Sequence, residues 1–192
     1  MDLEEIIYKR RTIRRFKQDP IPLDDLRKLV DYARVAPFGN NIQFLDYIII
    51  MEKEIREKIF TCTAWAGSLP PELRIPEENR RPMAYIVALA NKDIREEVGG
   101  AAEVGGAVQN ILLGATNLGL GSCWMGAINR DKIREILAIP DSYLITFIVS
   151  LGFPDEESVM EPFEGSMKYW RTNNGVMHIP KRSLDDVIHK VL

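Results

Sequence analysis

Apolar positions along the chain recur first at helical spacing and then in short unbroken runs. Leu3, Ile6 and Ile7 make a brief amphipathic helical pattern that runs into a basic cluster. After Pro20 and Pro22, Leu23, Leu26, Leu29, Val30 and Ala33 repeat at helical spacing, with Asp24 and Asp25 in the first turn, where the helix dipole favours acids. Pro37 stops that helix, and Phe38-Gly39-Asn40-Asn41 reads as a loop. Asp46 to Met51 predicts a buried strand, because β-branched and aromatic residues follow one another without a break. Residues 53–61 predict a helix, after which Gly67, Pro70, Pro71, Pro76 and Pro82 break up a surface excursion from Thr63 to Arg81, either a lid or a plain loop. Met83 to Ala90 predicts a second strand. Ala101 to Leu118 predicts a helix so rich in small residues (Ala102, Gly105, Gly106, Ala107, Gly114, Ala115) that it must be buried nearly all round, at the centre of the fold or at a subunit interface. Strands over Ser122–Ala127 and Tyr143–Gly152, a helix over Asp131–Leu137 and a last helix from Ser183 complete the pattern.

The connections are uneven and helices gather at both ends, which predicts an α+β fold rather than a regularly wound parallel sheet. The 192 residues suit a single domain over 1–192, and 46% hydrophobic with 28% charged residues is an ordinary globular balance. Lys and Arg total 25 against 28 Asp and Glu, a net charge of −3, so no global basic field invites nucleic acid. MDLEEIIYKRR carries acids where a secretory leader wants bases, and no apolar run approaches the roughly 20 residues that span a bilayer. Cys62 and Cys123 are spaced neither as a CxxC pair nor as a zinc knuckle. A cytoplasmic protein with reduced thiols and no membrane partner is the expectation.

The strongest candidate for chemistry is Lys9-Arg10-Arg11-Thr12-Ile13-Arg14-Arg15. One reading is a solvated charged turn. The other starts from Ile13 and Phe16, which would partly bury the segment; an extended backbone then puts Arg10, Thr12 and Arg14 on one side. Two guanidinium forks and a hydroxyl at that spacing suit a phosphate and the polar edge of a cofactor. Lys181-Arg182 reads alone as a solvated pair and gains meaning only beside this cluster. The segment Gly119 to Gly126 imitates a dinucleotide fingerprint, but Trp124 stands where the third glycine belongs, and the segment leaves a helix to enter a strand. Gly119 is expected to cap the long helix and Gly121 to relax the turn, with Trp124, Met125 and Gly126 left to border a flat aromatic ligand. His178 and His189 have no metal-ligand spacing, and no HExxH or GxSxG stretch is present.

Taken in order, Arg10 to Arg14, Ala36-Pro37-Phe38-Gly39-Asn40-Asn41-Ile42-Gln43, Gly119 to Gly126 and Lys181-Arg182 resemble the nitroreductase family over nearly the whole chain. The resemblance implies an α+β fold with a central, mostly antiparallel sheet flanked by helices. It also implies an intertwined homodimer with two FMN molecules at its interface. Arg10 and Thr12, with Arg11 in the same segment, would address the phosphate and ribityl chain, Lys181 and Arg182 would close on the phosphate, and Arg14 would lie near the pyrimidine. Asn41 and Gln43, with Asn40 as a further candidate, would reach the flavin from the partner subunit, and Trp124, Met125 and Gly126 would border the ring and its N5. No side chain is implied as acid or base, because flavin N5 carries the hydride from NADH or NADPH. Ping-pong transfer to a nitroaromatic, a quinone or a similar small acceptor follows. A flavin-binding module without turnover and relatives with other flavin chemistry, such as reductive dehalogenation, are the alternatives. Phe38 stands where the family often has serine, and Phe44-Leu45 where it often has proline and tryptophan.

Overall fold

The computed structural model describes residues 1–95 and 101–192. Helix α1 (Leu3–Lys9) starts at Asp2, whose carboxylate accepts the Glu5 N–H while Glu5 reaches back to the Asp2 N–H, so two orphan donors are satisfied at once. Helix α2 (Leu23–Arg34) buries Leu26, Leu29 and Ala33, the face its spacing predicts. Then come β1 (Leu45–Ile50), α3 (Lys53–Thr61), the single turn α4 (Pro71–Arg74), β2 (Ala84–Asn91), α5 (Ala101–Asn117), β3 (Gly121–Met125), α6 (Arg130–Leu137) and β4 (Tyr143–Gly152).

The four strands form one sheet in the order β1-β2-β4-β3, with every pair antiparallel. Alternation along the central strands divides the core between the two faces. Ile86, Val149 and Leu151 pack against Leu26 and Leu29 of α2 and Val108 and Ile111 of α5. Tyr85, Val87 and Ile148 pack on the other side against Ile59 of α3 and Ile133 of α6.

The structure departs from expectation in three places. Strand β1 is half-buried rather than fully buried, because it is an edge strand with β2 as its one neighbour. Helix α5 is not covered all round. Val104, Ala107, Val108, Ile111, Leu112 and Ala115 are buried, but Ala102, Gln109 and Asn117 are exposed along the opposite stripe, and a Cβ on Gly106 would meet nothing within 4 Å. The third departure follows β4. There β5 (Ser158–Pro162), β6 (Trp170–Arg171) and β7 (Met177–Lys181) build a second sheet in the order β5-β7-β6, with β5 and β7 parallel. The expected last helix is the single turn α7 (Leu184–Val187), capped by Ser183.

The excursion after α3 is no detached lid. Thr63 bridges Ile128, the Ala64 N–H donates to the Ala127 carbonyl at 2.9 Å, and Trp65 and Leu69 are buried. Trp65 packs with Phe60, Cys123 and Met125, and Leu69 with Met177 of the second sheet.

Candidate functional site

Residues 12–17 leave α1 as an extended ribbon laid between the start of β3 and the stretch after β4. Thr12 bridges Ser122, the Ile13 N–H donates to the Ser122 carbonyl at 2.9 Å, Phe16 bridges Pro154, and the Lys17 N–H donates to the Phe153 carbonyl at 2.9 Å. Close backbone approach makes this docking possible: a Cβ on Gly121 would lie 2.8 Å from Ile13, and one on Gly152 would lie 2.7 Å from Phe16. Gly121 therefore does more than relax a turn. Gly119, at φ +76, provides the left-handed residue that ends α5.

The ribbon alternates as expected. Ile13 is buried, and Arg11 and Ile13 line a cavity of about 280 Å3 with Thr116, Gly119 and Pro154, while Arg11 donates to the Tyr8 carbonyl. Arg10, Thr12 and Arg14 belong to the other side. Burial alone lowers the Arg10 pKa, and among the described residues Arg10 is in no ion pair. The Arg14 guanidinium lies over the Tyr169 ring, 5.1 Å from its centroid, with its Nη1 buried and without a hydrogen-bond partner. Arg14 also adjoins the Cys123 thiol: burial pushes that group up to about 11, and Arg14 pulls the other way.

Arg15 points inward instead. It is 3% exposed and pairs with Glu77 at 2.7 Å and Glu156 at 3.8 Å. Glu156 was not legible as special in the acidic run Asp155-Glu156-Glu157, yet its side chain is only 1% exposed. One of its oxygens accepts the N–H of Arg14 at 2.5 Å and of Arg15 at 3.3 Å, and the other accepts Arg171 Nη2 at 2.5 Å.

The second candidate loop is a single 3-10 turn, Gly39–Asn41, in which Asn40 and Asn41 both hold left-handed backbone at φ 53 and 56. Asparagine tolerates this conformation better than most residues. Phe44, 1% exposed, anchors the turn: it meets Phe38 edge-on at 5.5 Å, and the Arg95 guanidinium covers it at 5.2 Å. Asn40, Asn41 and Gln43 are exposed, with no side-chain hydrogen bond among the described residues.

These two groups occupy opposite ends of α5. Gly39 adjoins Glu103 in its first turn, and Arg11 and Ile13 share a cavity with Thr116 in its last. At about 1.5 Å per residue, the rise from Glu103 to Thr116 separates them by roughly 20 Å. Between them, Trp124 stands with its indole edge against Phe147 (5.1 Å) and near Gly105, its Nε1 buried and unpartnered. The Met125 side chain is 4% exposed in the core, and Gly126 is exposed at the strand end. Lys181 and Arg182 are exposed at the end of β7, where the Lys181 carbonyl accepts the Phe163 N–H and Arg182 donates to the Asp186 carbonyl. No hydrogen bond or ion pair among the described residues joins them to Arg10 or Thr12.

Residues 7–153 match the model of the nitroreductase family. The chain belongs to the nitroreductase family. It is 30% identical over 159 residues to a protein of Archaeoglobus fulgidus provisionally named an NADH dehydrogenase/NAD(P)H nitroreductase, covering 80% of this chain and 86% of that one. An FMN-dependent nitroreductase of Clostridium difficile superposes with a TM-score of 0.67 at 26% identity, over 81% of this chain and 90% of that one. A protein of Desulfovibrio desulfuricans provisionally named a nitroreductase, solved in complex with FMN, superposes over 100% of this chain and 98% of its own with a TM-score of 0.73. At 19% identity that last likeness establishes fold alone, and it extends the fold through the second sheet.

Proposed function

We infer that this nitroreductase-family protein is a homodimeric FMN-dependent oxidoreductase that takes electrons from NADH or NADPH and delivers them to a small-molecule acceptor such as a nitroaromatic or a quinone. The observation that carries the reading is the placement of the two polar groups at opposite ends of α5. A single chain cannot bring both to one ligand. A two-fold partner packed along the open stripe of α5 can, and the small residues at Ala102 and Gly106 allow the close approach.

The residues fit FMN. Half-buried Arg10 lacks a carboxylate partner among the described residues, and a phosphate dianion supplies the missing charge and bidentate acceptors. Arg14 Nη1 and Trp124 Nε1 are buried without a hydrogen-bond partner. Arg10 and Thr12, joined by Lys181 and Arg182, hold the phosphate and ribityl chain, while Arg11 faces the other side of the ribbon. Asn40, Asn41 and Gln43 of the partner subunit close over it. Arg14 places a fixed positive charge at the pyrimidine edge, and Gly126 leaves room for a flat ring.

When bound, FMN would supply the hydride-accepting N5 between the nicotinamide and the second substrate. The chain has no need of a general acid or base for that exchange. Its own residues bind, orient and exclude water, and the charge on Arg14, fixed before reaction, favours the more negative reduced cofactor. In a reducing cytoplasm the two buried free thiols, Cys62 and Cys123, stay unpaired.

The test is the visible absorption spectrum of the purified protein, recorded without oxygen before and after NADH or NADPH. Flavin bands that bleach support the reductase. Bands that persist leave a flavin-binding module without turnover, and a colourless protein that takes up no added FMN overturns the cofactor assignment.

A further inference from the structure

We propose that Tyr169 and Glu156 are positioning residues for Arg14, so that the second sheet sets how strongly the reduced cofactor is held relative to the oxidised one. The proposal rests on the reading that FMN binds here with Arg14 at its pyrimidine edge. Both residues lie beyond the stretch 7–153 that matches the family model.

The grip has two points. Glu156 fixes the main chain of Arg14 by accepting its N–H at 2.5 Å, and the same carboxylate is tied at 2.5 Å to Arg171 on β6. Tyr169 immediately precedes β6 and lies with its ring beneath the Arg14 guanidinium. The ring is itself held from two directions. Its hydroxyl accepts the Ser68 N–H at 3.3 Å, and it packs on the buried cluster of Ala66, Leu69 and Met177. The ribbon that carries Arg14 and strand β6, which follows Tyr169, are therefore locked to each other through one carboxylate.

An arginine is long and samples many rotamers, so its charge is smeared unless something holds it. A guanidinium held over an aromatic face, as Arg14 is 5.1 Å from the Tyr169 centroid, is restrained by the attraction of the ring for its charge. Nη1 is buried here with no hydrogen-bond partner, so neither point of the grip occupies it. A preorganised cation stabilises developing negative charge without having to reorganise. Tyr169 touches neither cofactor nor substrate in this scheme; it acts through Arg14.

The assay is the midpoint potential of bound FMN in holoenzyme, with the dissociation constant of oxidised FMN measured alongside. Tyr169→Phe keeps the ring and should keep the wild-type potential. Tyr169→Leu should lower the potential by about 30 mV, corresponding to a tenfold loss of preference for the reduced form in a two-electron couple. Arg14→Lys retains charge but not the guanidinium that lies over the ring and should shift the potential in the same direction. Adding Tyr169→Leu to Arg14→Lys should then add little, because contacting residues are non-additive. Full additivity, a wild-type potential in Tyr169→Leu, or a Tyr169→Phe shift equal to that of Tyr169→Leu overturns the proposal. Failure of the wild-type protein to bind FMN would instead overturn the cofactor reading beneath it. If Tyr169→Leu does not fold, Tyr169→Phe against Arg14→Lys still decides: matching shifts refute the role of the ring, and a shift in the lysine variant alone supports it.

Discussion

Replacing Glu156 by glutamine keeps its shape and removes its charge. The carboxylate is 1% exposed and sits between Arg15 and Arg171, whose side chains are 4% and 6% exposed. Glutamine can still accept the Arg14 N–H through its carbonyl oxygen, but its amide then turns an NH2 toward Arg171 Nη2, donor against donor. Arg15 keeps Glu77, at 2.7 and 3.1 Å, so its charge stays compensated. Arg171 has Glu156 as its one ion-pair partner among the described residues, and is left as an unpaired buried cation. Removing one member of a buried pair costs about 3–5 kcal/mol. At about 2–4 °C per kcal/mol for a domain of this size, Tm should fall by about 6–20 °C. The assay is denaturant and thermal unfolding of Glu156→Gln beside Glu77→Gln, a control whose carboxylate is 51% exposed and which should cost at most about 1 kcal/mol. Equal losses in the two variants would refute the assignment of Glu156 as the charge that ties the second sheet to the arginine ribbon.

Two further outcomes can be measured directly. Gly121→Ala places a methyl 2.8 Å from Ile13 and should cost about 1–3 kcal/mol by overpacking. It should also weaken FMN binding, read by flavin fluorescence titration, because it displaces the ribbon. Hydrogen bonds from Arg15 hold Glu77 below the usual carboxylate range. A depressed carboxylate contributes stability that is fully present above the unfolded value of about 4.3 and is lost as pH falls through the lowered one. Chemical denaturation between about pH 5 and pH 3 should therefore show an acid loss, under about 1 kcal/mol, that Glu77→Gln abolishes.

The central sheet and the helices on its faces were legible because their periodicities are long and unmixed. Leu26, Leu29 and Ala33 in α2 and the run from Ala84 in β2 each allow one reading, and that reading is what forms. The ribbon from Thr12 to Phe16 was legible for a different reason: Ile13 and Phe16 interrupt a charge cluster that would otherwise be surface, and both are buried. The second sheet was not legible. Strand β6 has two residues, β5 and β7 each contain a proline, and β5 pairs in parallel with β7 across a connection that itself holds β6. Glu156 escaped notice because a carboxylate in an acidic run after a proline looks solvated until its partners are seen. Proline and glycine likewise disguised 63–81, where Trp65 and Leu69 carry more weight than the turns around them.

The span of α5 gives the proposed dimer a genetic property. Each binding site would draw its basic half from one copy and its amide half from the other. A protomer defective at Asn41 and one defective at Arg10 would each be inactive as a pure population. Mixed, they form heterodimers in which one site collects both lesions and its twin none. Two null alleles of this single gene should therefore complement each other, up to about a quarter of full activity if the copies pair at random. Two alleles damaged in the same half should not.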